Sequence, residues 1–224
     1  MSLADAKKIV QVYLVDDHSL LRESIANLLR QEPDLSVCGE AKDADRAYRE
    51  ITTLKPDLAI VDISLDNSSG FDLIRNLREE MPELRIAVLS MHDEALYAER
   101  CIRAGANGYV MKRETSKRFL TTIREVLAGK TSVSEDITTM FTKKFLNGRR
   151  GQDSAPLSEL SDRELEVFNM LGQGIPARKI AASLNIHVKT VQAYCHRIKQ
   201  KLHLSSAMEL LREATRWHHD SSNS

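Results

Sequence analysis

Short apolar runs alternate with segments of helical periodicity through the first 130 residues of this 224-residue chain. The apolar runs have the length of buried strands, and apolar residues between them recur every three or four positions, as on the inner face of a helix. The pattern predicts five strands near residues 9–15, 35–37, 57–62, 86–89 and 109–111, and five helices near 20–29, 44–54, 70–80, 94–104 and 115–127. Ser19 is the predicted N-cap of the first helix. Strict alternation predicts an α/β fold with a doubly wound, five-stranded parallel sheet.

Beyond residue 130 the apolar positions have only helical spacing. A short helix is predicted within 134–145, and the stretch 147–156 is rich in glycine and polar residues, which is typical of a linker. Ser161 and Glu164 form a predicted capping box, and further helices are expected near 176–184, 188–202 and 207–217. We therefore divide the chain into an α/β domain at 7–130, a linker containing the short helix at 131–156, and a small all-α domain at 157–219.

Asp62 directly follows the apolar run 58–61 and ends it with a carboxylate. Alone, such a residue is more often a cap for the following loop than part of a site. However, parallel strands end at one edge of the sheet, and ligands bind at that edge in open α/β folds. Asp16, Asp17, Ser90 and Lys112 also lie at or just after strand ends. Their expected convergence with Asp62 indicates a functional site.

Three carboxylates in one place repel one another and would raise each other's pKa unless a cation shared the site. Ligation by oxygen atoms, with room for water, suits Mg²⁺, which commonly bridges carboxylates to phosphate. A divalent ion beside Asp62 would suit in-line phosphoryl transfer to its carboxylate, with Ser90 and Lys112 holding phosphoryl oxygens.

This set of residues resembles the receiver domains of bacterial response regulators, which are flavodoxin-like α/β domains. The resemblance implies that Asp62 accepts a phosphoryl group from a sensor histidine kinase. It also implies a Mg²⁺ site held directly by Asp17 and Asp62 and through water by Asp16, with Ser64 adding its backbone carbonyl. His18, next to the acidic pair, is expected to be a surface or loop residue rather than a metal ligand.

The same resemblance assigns roles to three residues at the ends of later strands. Ser90 is expected to be the switch hydroxyl, Lys112 the phosphoryl-binding lysine, and Tyr109 the aromatic residue whose rotamer follows phosphorylation. Two positions depart from the family pattern, because Asp66 and Arg113 stand where many receivers have proline. Neither departure removes a catalytic group, but Asp66 adds a negative charge that could change the lifetime of the phosphoryl group.

The chain is neutral overall, but its charges are unevenly placed. Residues 1–130 hold 19 basic and 22 acidic residues, the remainder hold 13 and 10, and the stretch 175–205 has six basic residues and no acidic one. Such a stretch is either a binding surface for an anionic polymer or a solvated face. The predicted helix 188–202 favours the first interpretation, because basic, amide and small side chains share the face opposite its apolar stripe.

The all-α domain resembles the LuxR-type helix-turn-helix, through the motifs at 157–167, 180–184 and 189–202 together with Gly174. Joined to a receiver, it resembles the NarL/FixJ family of response regulators, which implies binding to double-stranded promoter DNA. By this match the base-facing residues are Gln192, Ala193 and His196, and the phosphate-facing residues are Lys179, Lys189, Thr190, Arg197 and Lys201. The final helix is expected to carry the contact of a homodimer that forms on phosphorylation. His187, Gln192 and Tyr194 depart from common family residues, so the target sequence cannot be transferred.

Other classes of protein fit the sequence less well. The three cysteines are widely scattered, which argues against disulfide, zinc and redox roles. No apolar run is long enough to span a bilayer, and no signal peptide is recognisable, so we expect a cytoplasmic protein without a membrane partner. Two alternatives stay open: a Mg²⁺-dependent aspartyl phosphatase, although Ser64 occupies the place of its general acid, and a DNA-binding protein whose receiver serves only protein interaction.

Overall fold

A computed structural model describes residues 8–65, 68–92, 94–146, 156–184 and 186–222 of the protein. The chain divides into two compact units, Met1–Thr138 and Thr139–Ser224. The division falls inside the stretch that the sequence predicts to be a linker. Most of its glycine-rich part, residues 147–155, lies outside the described residues, as does the departure at Asp66. In the described part of the chain, no helix is both long and apolar enough to cross a membrane.

The first unit contains a parallel sheet of five strands, which confirms the predicted fold class. The strands of this unit are β1 (Val10–Val15), β2 (Leu35–Ala41), β3 (Leu58–Val61), β4 (Ser64–Leu65), β5 (Ser68–Ser69), β6 (Arg85–Ser90) and β7 (Gly108–Met111). The order in the main sheet is β2-β1-β3-β6-β7, so the chain direction across the sheet reverses between β1 and β3. In open α/β folds this reversal point is where ligands bind, at the carboxyl ends of the strands.

Five helices flank the sheet, and their residues are α1 (Ser19–Arg30), α2 (Ala44–Leu54), α3 (Gly70–Glu80), α4 (Glu94–Ala104) and α5 (Ser116–Leu127). The bounds of α2, α3 and α4 are those expected from apolar periodicity. Thr115 caps α5 through its side chain. The prediction that Ser19 caps α1 is wrong, because the N-cap is His18, whose side chain makes no capping hydrogen bond. The N–H of His18 instead donates to Asp16 Oδ1, so the chain turns into the helix one residue earlier.

The central strand β3 is buried along its whole length, as its continuous apolar sequence predicts. Leu58 and Ile60 belong to a core cluster that also contains Leu14 of β1, Leu89 of β6 and Ile123 of α5. Truncating one such residue to alanine typically costs about 2–5 kcal/mol of stability. The core therefore fixes the height of β3 between its neighbours, and with it the position of Asp62 at the end of the strand.

Strand β2 begins at Leu35, as predicted, and continues to Ala41, because it pairs along β1 as far as Val15. The polar segment 64–70, which the sequence predicts to be a loop, differs from the prediction because it contains β4 and β5, which pair as a short antiparallel ladder. These two short strands have no apolar pattern from which a strand could be predicted.

The chain continues with α6 (Glu135–Leu146), which confirms the predicted short helix. The second unit then has a 3₁₀ turn (Pro156–Glu159) and helices α7 (Asp162–Gly172), α8 (Ala177–Ser183), α9 (Val188–Lys201) and α10 (Ala207–Ser222). The capping box of Ser161 and Glu164 is present at the start of α7. At Gly172 a Cβ atom would lie 2.4 Å from the carbonyl oxygen of Ala214, so only glycine allows α7 and α10 to approach this closely.

Candidate functional site

Asp62 lies directly after β3, and its side chain is almost fully buried. Its backbone N–H donates to the carbonyl of Val15 over 2.8 Å, which extends the pairing of β3 with β1 by one residue. Lys112, which follows β7, places its Nζ atom 2.6 Å from Asp62 Oδ2. Burial raises the pKa of Asp62 to about 6, against the opposing effect of the Lys112 ammonium. At neutral pH the carboxylate is therefore mostly ionised and paired with a buried cation.

Asp16 and Asp17 follow β1 and face the same region. Asp16 Oδ2 lies 2.8 Å from Lys112 Nζ, so one ammonium group bridges two buried carboxylates. The ring of His18 is mostly exposed, and its Nδ1 lies 2.6 Å from Asp17 Oδ1. Ligand atoms of Asp16, Asp17, His18 and Asp62 all lie within 4.8 Å of one another. The structure thus brings together the three carboxylates that the sequence predicts to converge.

The donor set fits a divalent cation bound through oxygen. Burial lowers the pKa of Lys112, but the charge of Asp62 and the hydrogen bonds that the ammonium donates to Asp16 and Asp62 outweigh this effect and hold the pKa above its ordinary value. Lys112 therefore stays charged, and three carboxylates with one ammonium leave two net negative charges in the cluster. A hard divalent cation such as Mg²⁺ would balance this charge and accept the oxygen ligands offered.

Ser90 and Tyr109 lie beside this cluster at the ends of β6 and β7. Ser90 is fully buried, its Oγ accepts a hydrogen bond from the N–H of His92 over 3.2 Å, and its carbonyl accepts one from the N–H of Lys112 over 2.7 Å. The hydroxyl of Tyr109 donates to the carbonyl of His92 over 2.8 Å, and its ring is buried. Burial raises the pKa of Tyr109 well above its ordinary value, so this hydroxyl remains a donor.

His92 is a residue of the site that the sequence predictions missed. Its Nε2 lies 2.7 Å from Ser64 Oγ, and its ring stacks on Tyr97 of α4 with centroids 4.4 Å apart. Burial, with the charge of Lys112 second, lowers the pKa of His92 to about 4, so the ring is neutral at physiological pH. His92 joins the loop after Asp62 to Ser90, α4 and Tyr109. The sequence signal that could have identified His92 is its position two residues after Ser90. Its contacts could not be predicted, because they involve residues that are distant in the sequence.

The segment after α5 returns along the edge of the sheet, and we call residues 131–134 the exit segment. Gly108 and Ser132 form a parallel bridge, and the N–H of Tyr109 donates to the carbonyl of Ser132 over 2.9 Å. Arg118 of α5 donates from Nη2 to the carbonyl of Val133 over 3.1 Å. The exit segment is therefore hydrogen-bonded both to β7 and to α5.

The exit segment also contacts α4. Glu94, in the first turn of α4, accepts a hydrogen bond on Oε1 from the N–H of Ser134 over 2.8 Å. The carbonyl of Ser134 accepts from the N–H of Thr138, and Ile137 is buried. The first turn of α6 is thus attached to the element that begins just after Ser90 and His92.

In the second unit, α9 has the inner and outer faces expected from its sequence. Val191 and Ile198 are buried on the inner side. Of the residues predicted to contact DNA, those exposed are Lys179, Lys189, Gln192, Ala193, His196 and Arg197, while Thr190 and Lys201 are partly buried. The exposed set presents amide, small, imidazole and cationic groups together, which suits contacts with bases and phosphates.

Lys201 differs from the other predicted phosphate contacts because it already has an internal partner. Its Nζ lies 2.6 Å from Glu164 Oε2 and 3.0 Å from the carbonyl of Glu159. Glu164 is buried, which raises its pKa, but the hydrogen bonds from Lys201 and Ser161 outweigh burial and lower the pKa below its ordinary value. Lys201 therefore ties the end of α9 to the start of α7.

Two family models match the chain. The model described as the response regulator receiver domain matches residues 12–124. The model described as bacterial regulatory proteins of the luxR family matches residues 158–214. The first match spans the five-stranded sheet and its acidic cluster, and the second spans α7, α8, α9 and the first half of α10.

Similar proteins and solved structures match between 62% and 93% of this chain. The oxygen regulatory protein NreC of Staphylococcus haemolyticus is 32% identical over 209 residues, which is 92% of this chain and 96% of that protein. A two-component response regulator of the LuxR family from Aurantimonas sp. is 31% identical, with a TM-score of 0.57 over 62% of this chain and 99% of that one. The structure of RcsB from Salmonella enterica serovar Typhimurium, bound to a promoter in the presence of phosphomimetic BeF3⁻, is 22% identical, with a TM-score of 0.63 over 93% and 100% of the two chains.

Proposed function

Since the chain belongs to the NarL/FixJ-type response regulators, with a receiver domain followed by a luxR-family DNA-binding domain, we propose that phosphorylation of Asp62 controls its binding to promoter DNA. The observation that carries this proposal is the arrangement at Asp62. A buried carboxylate at the end of the central strand has one ammonium at 2.6 Å and two further carboxylates beside it. The phosphoryl donor would be a sensor histidine kinase.

In the proposed reaction, an oxygen of Asp62 attacks the phosphorus of a phosphohistidine on the kinase. The N–P bond breaks, an O–P bond forms, and the kinase histidine leaves with the electron pair of the broken bond. Lys112 lies at hydrogen-bonding distance from Asp62, so its ammonium is placed to donate a hydrogen bond to an oxygen of the phosphoryl group on Asp62. The buried hydroxyl of Ser90, which accepts a hydrogen bond from the N–H of His92, would donate its own hydrogen to a second phosphoryl oxygen. Tyr109 would then change rotamer, as the family resemblance implies.

The proposed cofactor is Mg²⁺. Asp17 and Asp62 would hold it directly, Asp16 through water and Ser64 through its backbone carbonyl. The chemistry that Mg²⁺ supplies when bound is neutralisation of charge on the carboxylates and on the phosphoryl oxygens. The two net negative charges of the cluster support this assignment.

We further propose that the output is transcriptional regulation. Gln192, Ala193 and His196 would read base edges, while exposed cations such as Lys179 and Lys189 would contact the backbone. Phosphorylation would relieve a block of α9 by the receiver and favour a homodimer through α10. Met208 and Leu211 of α10 are exposed apolar residues that suit such a contact. This function requires a cytoplasmic protein and no membrane partner.

Two alternative functions make different demands on the site. An aspartyl phosphatase would need a general acid two residues after the nucleophile, where this chain has Ser64, and we therefore propose that the protein is not an enzyme. A receiver that serves only protein interaction would not need three carboxylates and a buried lysine, whose charges are costly to bury. The buried cluster supports phosphorylation over both.

The deciding experiment is incubation with acetyl phosphate and Mg²⁺, followed by intact-mass analysis and a gel that retards phosphoproteins. Wild-type protein should gain one acid-labile phosphoryl group, and Asp62→Asn should gain none. Asp57→Asn is the matched control, because Asp57 stands at the opposite end of the same strand. An adduct that persists in Asp62→Asn, or catalytic release of phosphate from small esters, would contradict the proposal.

A further inference from the structure

Arg197 of α9 is held on one edge by a buried carboxylate. Its Nε lies 3.3 Å from Oε1 of Glu164, whose side chain is only 4% exposed. The other oxygen of that carboxylate accepts hydrogen bonds from Lys201 and from the N–H of Ser161. Glu164 cannot move to follow Arg197, because it is fixed by the capping box and by Lys201. It is therefore a rigid anchor for the guanidinium group.

A second contact covers one face of the same guanidinium. Tyr194 lies three residues earlier on α9, and Cζ of Arg197 stands 4.7 Å from the centre of its ring. Side chains at this spacing share a face of a helix, and a cation over an aromatic ring at this distance is attracted to it. Tyr194 thus limits the rotation of the Arg197 side chain about its long stem.

These two contacts leave the two terminal amino groups of the guanidinium, Nη1 and Nη2, available to a ligand. In the described part of the chain, no protein acceptor contacts Nη1 or Nη2 of Arg197, and the side chain is half exposed. The two amino groups form the planar fork that binds phosphate oxygens in pairs. Lys201 has no such freedom, because its ammonium bridges Glu164 and Glu159.

We propose that Glu164 and Tyr194 are positioning residues that preorganise Arg197 to bind a phosphate of the DNA backbone, whereas Lys201 serves mainly to join α9 to α7. This inference rests on the proposed DNA binding of the chain. It separates two basic residues that the sequence resemblance places together as phosphate contacts. It also gives a role to Tyr194, which departs from the residue common in the family.

The test uses the full-length chain with acetyl phosphate and Mg²⁺ and a duplex of random sequence, because phosphate contacts do not depend on base sequence. Fluorescence anisotropy is measured over a series of KCl concentrations. Arg197→Ala should reduce the slope of log affinity against log salt by about 0.9 for each bound protomer, the value for one phosphate contact. Lys201→Ala should leave that slope nearly unchanged and lower the melting temperature.

The role of Tyr194 is tested by a double-mutant cycle. Tyr194→Leu should weaken binding about two- to five-fold, as loss of an exposed cation–π contact predicts, whereas Tyr194→Phe should keep wild-type affinity because it retains the ring. In the Arg197→Ala background, Tyr194→Leu should have no further effect. Equal losses with and without Arg197, or equal losses for leucine and phenylalanine, would show that Tyr194 is only a packing residue and overturn the inference.

Glu164 is tested with Glu164→Gln, which keeps the shape of the side chain and removes its charge. Affinity should fall in this variant but not in the Glu164→Gln, Arg197→Ala double variant relative to Arg197→Ala alone. Wild-type protein that binds with a steep salt slope, together with an unchanged slope in Arg197→Ala, would overturn this inference and leave the proposed function standing. Wild-type protein without salt-dependent binding would overturn both.

Discussion

Lys112 donates to Asp62 across 2.6 Å in a region where both side chains are almost fully buried. The same Nζ atom lies 2.8 Å from Asp16, so a single ammonium neutralises part of the charge of two carboxylates that would otherwise repel each other. Lysine is therefore a structural counter-ion in this state as well as the proposed ligand of a phosphoryl group. Because Lys112 has both roles, the stability of the first unit should change when a metal ion or a phosphoryl group binds at the site.

Replacing Lys112 with methionine should destabilise the first unit by about 3 kcal/mol, because removal of one partner leaves buried carboxylates without their cation. Urea unfolding in the presence of a metal chelator would measure the loss. Lys117→Met, at an exposed position of α5, provides the control and should change stability little. Addition of Mg²⁺ should recover part of the loss in Lys112→Met. Equal stability of both variants would contradict the role of Lys112 as counter-ion.

Asp62→Asn should have the opposite effect on the metal-free protein. The raised pKa of Asp62 means that folding disfavours its ionised form, so a neutral side chain of the same shape should stabilise the unit at pH 7–8 by about 1–3 kcal/mol. The melting temperature of wild-type protein should rise with Mg²⁺, whereas the variant should lose most of this response. A variant that melts lower than wild type in chelator would refute the expectation.

The stability of the protein should depend on pH through His92. Its folded pKa of about 4 lies below the value of about 6.5 for an unfolded histidine, so the unfolded chain binds more protons between these values. Stability from this group is present above pH 6.5 and is lost as the pH falls through 4. Relative to His92→Gln, wild-type protein should lose about 2–3 kcal/mol over this range. Parallel losses in both proteins would exclude His92 as the cause.

Lys189 and Gln192 should respond differently to a change of DNA sequence, because both are exposed on α9 but differ in chemistry. Lys189→Ala should weaken binding to all duplexes similarly and reduce the salt slope by about 0.9 for each bound protomer. Gln192→Ala should change the preference at one base pair by about 1–3 kcal/mol. Selection from a randomised library, followed by titration of single-base variants, would distinguish the two. Uniform losses for both variants would undo the assignment of their faces.

The contact between Glu94 and Ser134 should protect the start of α6 from hydrogen exchange. Glu94→Ala should speed exchange of the Ser134 amide, because that N–H loses its acceptor. Arg118→Ala is a useful comparison, since it removes a contact to the carbonyl of Val133 rather than to an amide. Exchange at Ser134 should therefore change less in Arg118→Ala. Mass spectrometry of peptides spanning residues 131–138 would reveal whether the two variants differ.

Local periodicity was sufficient to predict the elements whose apolar faces are continuous. The bounds of α2, α3 and α4 follow from side chains that repeat at helical spacing and from residues that stop a helix, such as Pro56 after α2. The structure adds that Lys55, between α2 and Pro56, has a left-handed backbone. The short ladder of β4 and β5 was not predicted, because two-residue strands have no measurable period. Pairing alone defines them.

The site was predictable to the extent that topology dictates it. A parallel sheet must bring Asp62, Asp16 and Lys112 to one edge, so their proximity follows from the order of strands and helices. The contact of His92 with Ser64 does not follow, because it depends on the path of two loops. Likewise, the capping box predicts Glu164 at the start of α7, but its pairing with Lys201 requires the packing of two helices.

The hydrogen bond from the N–H of Ser134 to Glu94 joins the first turn of α6 to the first turn of α4. The helix has 12 residues and is therefore about 18 Å long. A tilt of about 10° at the attached end would displace the far end of a helix of this length by about 3 Å. A small change in the orientation of the first turn of α4 would therefore cause a larger displacement at the far end of α6. The receiver would not need to change its fold for this displacement to occur.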